Sequence, residues 1–205
     1  MSGRLTFHIA RAFRSETALG RRSVAPEAIL RELEGRSVAL VGNARSLSQG
    51  NSGHVIDTAD IVIRINRAPM PSTRTHGVRT DWLALATSIS AADLDRIRPK
   101  RIFWMSPKRK RLPYSVATSP GFYLHPLPRS IALAATLGAP PTTGLMMIDL
   151  LAGSGVARLD LYGFDFFASL SLTGSRTADQ VPHDFPAERR FVEALATRDP
   201  RIRLL

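Results

Sequence analysis

Cysteine is absent from the 205-residue chain, and so is any apolar run long enough to cross a membrane as a helix. A membrane-spanning helix would need a run of about 18 or more predominantly apolar residues. Without cysteine the chain forms no disulfide, has no thiolate nucleophile and offers no cysteine-based zinc site. The composition therefore fits a protein of a reducing compartment.

Negative charge is also scarce, because 17 Asp and Glu residues stand against 28 Lys and Arg residues, for a formal net charge of +11. Such an excess needs an anionic partner: nucleic acid, an anionic membrane surface, or a phosphorylated or acidic substrate. Its densest part runs from Arg96 to Arg111, with eight basic residues and no acidic one. A solvated loop explains this run as well as an anion-binding surface does. No helix-turn-helix, zinc finger or aromatic RNA-binding motif accompanies the charge, so nucleic acid is the weakest of these candidates.

The first 24 residues form a basic segment in which Leu5, Phe7, Ile9 and Phe13 are interleaved with arginines. The segment lacks the long apolar core of a secretory signal. Two interpretations stay open: a short amphipathic helix on a membrane surface, or a frayed surface segment. We therefore treat residues 1–24 as a basic N-terminal segment, peripheral or partly flexible, and residues 25–205 as a single domain.

Patterns typical of strands and helices alternate along the rest of the chain. This alternation predicts a single-domain, Rossmann-like α/β sandwich whose mostly parallel central sheet is flanked by helices. The predicted strands are 38–41, 61–65, 81–86, 101–105, 121–125 and 159–162. The predicted helices are 26–34, with proline in the first turn, 91–96, 143–152 and 187–196.

Two of the predicted strands are followed by an asparagine. The run Val38 to Val41 breaks at Gly42-Asn43, and the run Ile61 to Ile65 ends at Asn66. Parallel strands that end this way place two uncharged amide donors at one sheet edge. Open α/β sheets bind ligands in the crevice beyond this edge, and amide donors suit a phosphate or nucleotide group.

Two later stretches could add to the same edge. Pro141-Thr142-Thr143-Gly144 precedes the predicted helix 143–152, where hydroxyls can cap the helix and free N–H groups attract an anion. Tyr162-Gly163 ends the strand 159–162, where glycine permits a close approach and tyrosine can stack or hydrogen-bond. A plain structural cap and a buried structural tyrosine are the competing interpretations.

A histidine stands at the start of the last predicted helix, with a carboxylate five residues later, as His183 and Glu188. Histidine titrates near neutrality and is a usual general base for a hydroxyl when another group orients it. Taken alone, His183 could equally be a surface residue of the helix start. The other four histidines show no spacing typical of a metal site.

In this order the motifs resemble those of glycosyltransferase family 29, the sialyltransferases. The stretch around Asn43 and Asn66, continuing to Gly77 and Arg79-Thr80, is similar to the long L sialylmotif that binds the donor. Thr142 to Gly144 with Leu161-Tyr162-Gly163-Phe164 looks like the short S motif. His183 and Glu188 match the His-x4-Glu of the very short VS motif. The resemblance covers about residues 37 to 193.

The chain also departs from the family pattern. Animal members join the L and S motifs by a disulfide, which a chain without cysteine cannot form. The aromatic and histidine-containing motif III, expected between S and VS, has no clear counterpart from Phe166 to Pro182. The resemblance thus implies a short, bacterial-type member of cytoplasmic location, which could be peripheral on the inner face of a membrane.

The resemblance implies a GT-A-like variant of the Rossmann-like fold and a metal-independent enzyme without a cofactor. That enzyme inverts the anomeric carbon as it transfers a sialic-acid-type sugar from its CMP derivative to a hydroxyl of a glycan or glycolipid. His183 would be the catalytic base, with Glu188 orienting its segment. The residues implied for donor binding are Asn43, Ala44, Arg45, Asn66, Thr142, Thr143, Gly144, Tyr162 and Gly163.

Two alternatives stay open. An enzyme using the CMP derivative of Kdo would share the carboxylate and the keto-sugar anomeric centre. The chain could also be a basic nucleotide- or nucleic-acid-binding module without catalysis, which the missing motif III would favour. The expected partners are a CMP-sugar, a glycan or glycolipid acceptor and an anionic membrane surface, and nucleic acid is the least expected.

Overall fold

A computed structural model describes residues 3–166 and 180–205, which form one seven-stranded sheet with helices on both faces. The strands are β1 (Ser37–Val41), β2 (Ile61–Ile65), β3 (Trp82–Leu85), β4 (Arg101–Trp104), β5 (Phe122–Leu124), β6 (Arg158–Tyr162) and β7 (Ile202–Leu204). The helices are α1 (Gly3–Ala12), α2 (Glu16–Gly20), α3 (Pro26–Leu33), α4 (Gly53–Asp57), α5 (Thr73–His76), α6 (Ala91–Ile97), α7 (Tyr114–Ala117), α8 (Leu127–Leu137), α9 (Thr143–Ala152) and α10 (Phe185–Arg198). Short 3₁₀ helices span Arg45–Gln49 and Arg109–Arg111.

Every strand pair in the sheet is parallel, in the spatial order β5-β4-β3-β2-β1-β6-β7. The chain first adds strands on one side of β1, then returns and adds β6 and β7 on the other side. The order therefore reverses between β1 and β6. Ligands of open α/β folds bind at such a switch point, outside the carboxyl ends of the strands.

Apolar side chains bury both faces of the sheet, as parallel sheets require. On one face, alternate residues such as Leu40, Ile63 and Leu161 pack with Ile148 of α9 and Val192 of α10. The opposite face is covered in two parts. Residues of α4 and the 3₁₀ helix 45–49 cover β1, β2 and β6, and residues of α1, α2 and α7 cover β3, β4 and β5.

The two helices that carry the later motifs begin where their sequences supply a cap. Thr142 caps α9, and its Oγ1 accepts a hydrogen bond of 3.1 Å from Leu145 N. Asp184 caps α10, and its Oδ1 accepts a bond of 2.8 Å from Ala187 N. Such caps satisfy backbone donors that the first helical turn leaves unpaired, so the polar residues fix where each helix begins.

Residues 3–24 form α1 and α2 and pack into the domain rather than fraying, while contact of this segment with a membrane surface stays a prediction. Phe7 of α1 and Leu19 of α2 are fully buried in the core beneath β4 and β5. Val24 N also donates to Phe122 O at 2.8 Å, at the edge strand of the sheet. The burial of Phe7 and Ala10, three residues apart on α1, anchors one side of the segment.

The predicted fold class is confirmed, with all six predicted strands and the four predicted helices present within a few residues of the expected bounds. The sequence missed β7, which is three residues long and pairs only with β6. It also missed α8 and the short helices α2, α4, α5 and α7. No helix in the described ranges has the length and apolar character that spanning a bilayer would require.

Candidate functional site

The candidate site lies at the switch point, where two glycines bring the ends of β1 and β6 together. Gly42 N donates to Tyr162 O at 2.7 Å, directly after β1. A side chain on Gly42 would overlap the carbonyl oxygen of Gly163, which itself has a φ of +68°. Both positions therefore need glycine, one for space and the other for its left-handed backbone. At Gly163 the backbone that follows β1 approaches closely, and the close approach of a ligand there stays a prediction.

Asn43 and Asn66 lie at matching positions, each two residues beyond the paired residues Val41 and Arg64. Asn43 is only 8% exposed, and its Nδ2 donates to Ile65 O at 3.4 Å. Asn66 has a φ of +52°, a left-handed conformation that asparagine tolerates better than most residues. Its Oδ1 accepts a bond of 3.2 Å from Ala86 N, which fixes the orientation of the amide. The structure thus brings the two predicted amides to one edge.

The backbone N–H of Ala44 does not point toward a donor phosphate as the sequence suggested. It donates to Gly163 O at 3.3 Å and so extends the pairing of β1 with β6. Arg45 is exposed at the start of the 3₁₀ helix 45–49. Ala44 is therefore a structural residue of the crevice wall.

The start of α9 forms a second wall of the crevice, and it rests on the residue after Gly163. A Cβ on Gly144 would lie 2.6 Å from the ring of Phe164, so glycine is needed for this contact. Thr143 is buried beside it in the first turn of α9. The helix N-terminus is thereby fixed next to the strand end, and its first-turn dipole favours an anion there.

Tyr162 points away from this crevice, contrary to the expected role in lining a nucleotide pocket. It is 3% exposed and packs in an apolar cluster with Val41, Leu47 and Ile56. The same burial raises the pKa of its phenol above the ordinary value. Tyr162 is thus a core residue, the competing interpretation of this stretch.

Glu188 connects α10 to the start of α9. Its carboxylate accepts a bond of 2.6 Å from Thr142 N and one of 2.8 Å from Thr142 Oγ1. The side chain is 3% exposed, and burial raises the pKa of Glu188 to about 7, although both bonds from Thr142 act in the opposite direction. Glu188 therefore fixes the start of α10 to the start of α9. The sequence did not predict this contact with Thr142.

His183 lies beside the same loop, and a backbone carbonyl orients its ring. Its Nδ1 lies 2.8 Å from Pro140 O. Because a carbonyl oxygen can only accept, Nδ1 carries the proton of this bond and Nε2 holds the lone pair of the neutral ring. The arrangement suits a general base that acts through Nε2.

Other residues of the first motif support the crevice from within the fold. The guanidinium of Arg64 is buried and donates to Arg79 O at 2.8 Å and to His76 O at 2.5 Å. Burial lowers the pKa of Arg64 to about 10. The carboxylate of Asp57 accepts bonds from Val78 N and Arg79 N. These contacts hold the loop between β2 and β3 in place. Arg64 and Asp57 therefore have a structural role in this loop and do not reach the crevice.

Part of the basic run from Arg96 to Arg111 is also structural. Arg109 is buried, and its guanidinium donates to the Glu16 carboxylate at 2.8 and 2.9 Å. Arg101 forms an ion pair with Glu32. The exposed charges of the run near Pro107 are Lys108, Lys110 and Arg111. The run therefore combines a structural ion-pair framework with a smaller solvent-facing group.

In residues 3–166 and 180–205, no cluster of three or more His, Asp or Glu side chains is arranged to hold a metal ion. The expectation of a metal-independent, cofactor-free reaction stays a prediction. The segment predicted to lack motif III falls largely outside the described residues.

Comparison with known proteins gives a family match over part of the chain. Residues 14–110 match the model of glycosyltransferase family 29 (sialyltransferase). Within these residues the match confirms the resemblance to the sialyltransferase family that the sequence motifs indicated. The match includes the stretch with Asn43 and Asn66, and it ends before Thr142, His183 and Glu188. A search of curated protein sequences finds no match.

Solved structures share the fold. A mammalian sialyltransferase is similar with a TM-score of 0.71 and 20% identity over 91% of this chain and 76% of that one. A mammalian sialyltransferase in complex with Gal-β-1,3-GalNAc-ortho-nitrophenol is similar with a TM-score of 0.66 and 19% identity, over 91% of this chain and 76% of that one. The sialyltransferase CstII from Campylobacter jejuni, in complex with the substrate analogue CMP-3FNeuAc, is similar with a TM-score of 0.56 and 12% identity. This match covers 83% of this chain and 81% of that one.

Proposed function

We propose that this chain, whose residues 14–110 carry the match to glycosyltransferase family 29 (sialyltransferase), transfers a sialic-acid-type sugar from its CMP-activated donor to a hydroxyl of a glycan or glycolipid. The reaction would invert the anomeric carbon and need no metal. The observation that carries the proposal is the bond between Glu188 and Thr142, which holds the helix start that bears His183 against the N-terminus of α9. A base and an anion-binding helix start thereby share one crevice.

His183 supplies the base. An alcohol is a poor nucleophile at neutral pH, so Nε2 takes its proton while the oxygen attacks the anomeric carbon. The bond from that carbon to the phosphate oxygen breaks at the same time, and its electron pair leaves with the CMP. The bond from Nδ1 to Pro140 O keeps the ring in the required tautomer. Attack from the face opposite the leaving group gives inversion.

Donors at the strand ends stabilise the leaving group. Negative charge grows on the departing phosphate in the transition state, so fixed donors there favour the transition state over the bound substrate. The amides of Asn43 and Asn66 fill this role because the strand ends hold them at one edge. The first-turn N–H groups of Thr143 and Gly144 face the sugar carboxylate or the ribose phosphate, aided by the helix dipole.

Glu188 acts as a positioning residue. Both of its oxygens are engaged by Thr142, so it contacts neither the acceptor nor the donor. It sets the distance between the cap of α9 and the segment that carries His183. The exposed basic residues complement a donor that bears a carboxylate and a phosphate. Because the chain has no cysteine, we place the reaction in a reducing, bacterial cytoplasm, at the inner face of a membrane if the acceptor is a glycolipid.

The test is a set of assays with CMP-sialic acid and CMP-Kdo, each with and without a panel of acceptor sugars, in the presence of a chelator. Release of CMP from the first donor, accelerated by acceptor, is the expected result. Cleavage of CMP-Kdo alone would show that CMP-Kdo is the donor and would leave the proposed mechanism unchanged. Cleavage of neither donor, with retained binding of CMP, would favour a non-catalytic nucleotide-binding module. Loss of activity on chelation would contradict metal independence.

A further inference from the structure

The outer side of α1 carries three exposed apolar side chains in line. Leu5 is 50% exposed, Ile9 is 44% exposed and Phe13 is 81% exposed. The spacing of four residues places them on one side of the helix. Phe13 N donates to Ile9 O at 3.0 Å, so Phe13 continues the helical turn beyond the last residue of α1. We call Leu5, Ile9 and Phe13 the α1 stripe.

The α1 stripe is held rigidly in the fold. The opposite side of the helix is buried through Phe7 and Ala10, and Arg11 Nη1 donates to Leu112 O at 3.2 Å. Arg22 Nη2 also donates to Gly3 O at 2.6 Å. A helix anchored in this way does not turn its apolar side inward, so the stripe stays in contact with solvent or with a partner.

Positive charge surrounds the stripe. Arg4 and Arg14 are exposed at its two ends. Helix α1 also contacts the 3₁₀ helix 109–111, where Lys110 and Arg111 are exposed. The one acidic residue among residues 3–24 is Glu16, and it is paired with the guanidinium of Arg109. An apolar strip within an arginine- and lysine-rich rim matches the interfacial zone of an anionic bilayer.

We propose that the α1 stripe and its basic rim dock this protein on an anionic membrane surface. Leu5, Ile9 and Phe13 would enter the boundary between headgroups and acyl chains, and the rim would contact anionic headgroups. The 3₁₀ helix 109–111 follows the carboxyl end of β4, and the candidate site lies at the carboxyl ends of β1 and β6. The basic rim and the site therefore lie toward the same carboxyl end of the strands, with β2 and β3 between them. This inference stands on the surface alone and does not depend on the reaction proposed above.

The test is co-sedimentation of the full chain with vesicles of phosphatidylcholine alone and of phosphatidylcholine with phosphatidylglycerol, at low and high salt. We expect binding to the anionic vesicles only, weakened by salt. The triple variant Leu5→Ser, Ile9→Ser, Phe13→Ser should bind roughly ten-fold or more weakly. Arg14→Ala should weaken binding by roughly five-fold, since one basic residue at the surface contributes about that factor.

The matched control is Val78→Ser with Ile131→Ser, two apolar residues that are 61% and 60% exposed elsewhere on the surface. This double variant should bind as the unmodified chain does, and all variants should keep its unfolding temperature. Equal binding of the triple variant and the unmodified chain would overturn the proposal. Absence of binding to either kind of vesicle would also overturn it. If sedimentation velocity then showed a dimer that the triple variant loses, the α1 stripe would be a contact between two copies of this chain instead.

Discussion

The segment from β1 to β3 and the segment from α9 to α10 contribute to the candidate site in different ways. In the first, most polar residues bond to each other: Asp57 holds the N–H groups of Val78 and Arg79, and Arg64 holds two carbonyls of the same loop. In the second, Glu188 with Thr142 and His183 with Pro140 join parts of the chain more than 40 residues apart. The first segment builds a rigid edge, and the second brings His183, the proposed base, to it.

This difference predicts separable effects of mutation. A change at His183 should alter rate with little loss of stability, whereas a change at Glu188, which is buried and bonded to Thr142, should alter stability as well. Changes within the first segment should alter stability, except at Asn43 and Asn66, the two asparagines proposed to contact the leaving phosphate.

The largest expected effect is that of His183→Ala on turnover. Loss of the general base should lower kcat by roughly 10²- to 10⁴-fold, with the affinity for CMP almost unchanged, because the ring acts on the acceptor hydroxyl. Steady-state kinetics of transfer and titration with CMP measure the two quantities. The matched control is His54→Ala, which removes an exposed histidine of α4. Full transfer activity in the His183 variant would remove this residue from the mechanism.

The next effect is that of Asn43→Ala, which should weaken CMP binding and lower kcat by roughly 10²-fold. One fixed donor to developing negative charge is typically worth 10²- to 10³-fold in rate. Asn51→Ala serves as the matched control, because Asn51 is exposed and lies outside the crevice. An unchanged affinity for CMP in the Asn43 variant would contradict its contact with the phosphate.

The burial of Glu188 should make stability depend on pH. Burial raises the pKa of Glu188 to about 7, against an ordinary value of 4.5. The folded state therefore binds the proton more tightly than the unfolded state does. The contribution to stability is complete below pH 4.5 and is lost as pH rises through about 7, by about 3 kcal/mol at most.

Glu188→Gln should remove this part of the pH dependence because the amide does not titrate, and its oxygen can still accept one bond from Thr142. Urea unfolding of both proteins between pH 4.5 and pH 8 measures the difference. Glu188→Ala should be less stable than Glu188→Gln by about 1–3 kcal/mol, since the buried N–H of Thr142 would lose its partner. A pH profile that is the same in the unmodified chain and in Glu188→Gln would show that another group is responsible.

The smallest effect on activity is expected in the first segment. Gly53→Ala places a Cβ in overlap with the carbonyl oxygen of Thr73, so the backbone of α4 or α5 must shift. Such overpacking costs about 1–3 kcal/mol of unfolding free energy. At temperatures where the variant is folded, its kcat should stay within about two-fold of the unmodified value.

The control for this variant is Gly20→Ala, whose Cβ would meet no atom within 4 Å. Thermal unfolding and transfer kinetics of both variants complete the comparison. If Gly53→Ala lowered kcat as strongly as Asn43→Ala without loss of stability, the two segments would not differ in the way described.

The sequence predicted the strand ends well because a parallel strand that stops at Asn43 or Asn66 leaves a clear mark, an apolar run followed by an amide. It could not assign Tyr162 to a face, because every residue from Leu159 to Tyr162 is buried and the usual alternation is absent. It also could not reveal the bond from His183 to Pro140 O, since a backbone carbonyl has no side-chain signature.

The engagement of Ala44 N by Gly163 O escaped prediction for a related reason. It depends on β6 lying beside β1, a neighbour that arrives more than 100 residues later in the chain. The burial of Phe7 and Leu19 likewise depends on contacts with β4 and β5 that the local basic pattern conceals. Local pattern therefore predicted the elements, and long-range contacts decided which side chains face the crevice.

The central claim is that CMP binds at the switch point between β1 and β6. Amide hydrogen exchange with and without CMP, read by mass spectrometry, tests it most directly. We predict slower exchange on CMP binding in peptides that cover residues 42–47, 66–68 and 142–146, and unchanged exchange in α1 and α6. Slower exchange confined to the basic residues 107–112, with no change at 42–47 or 142–146, would contradict the account.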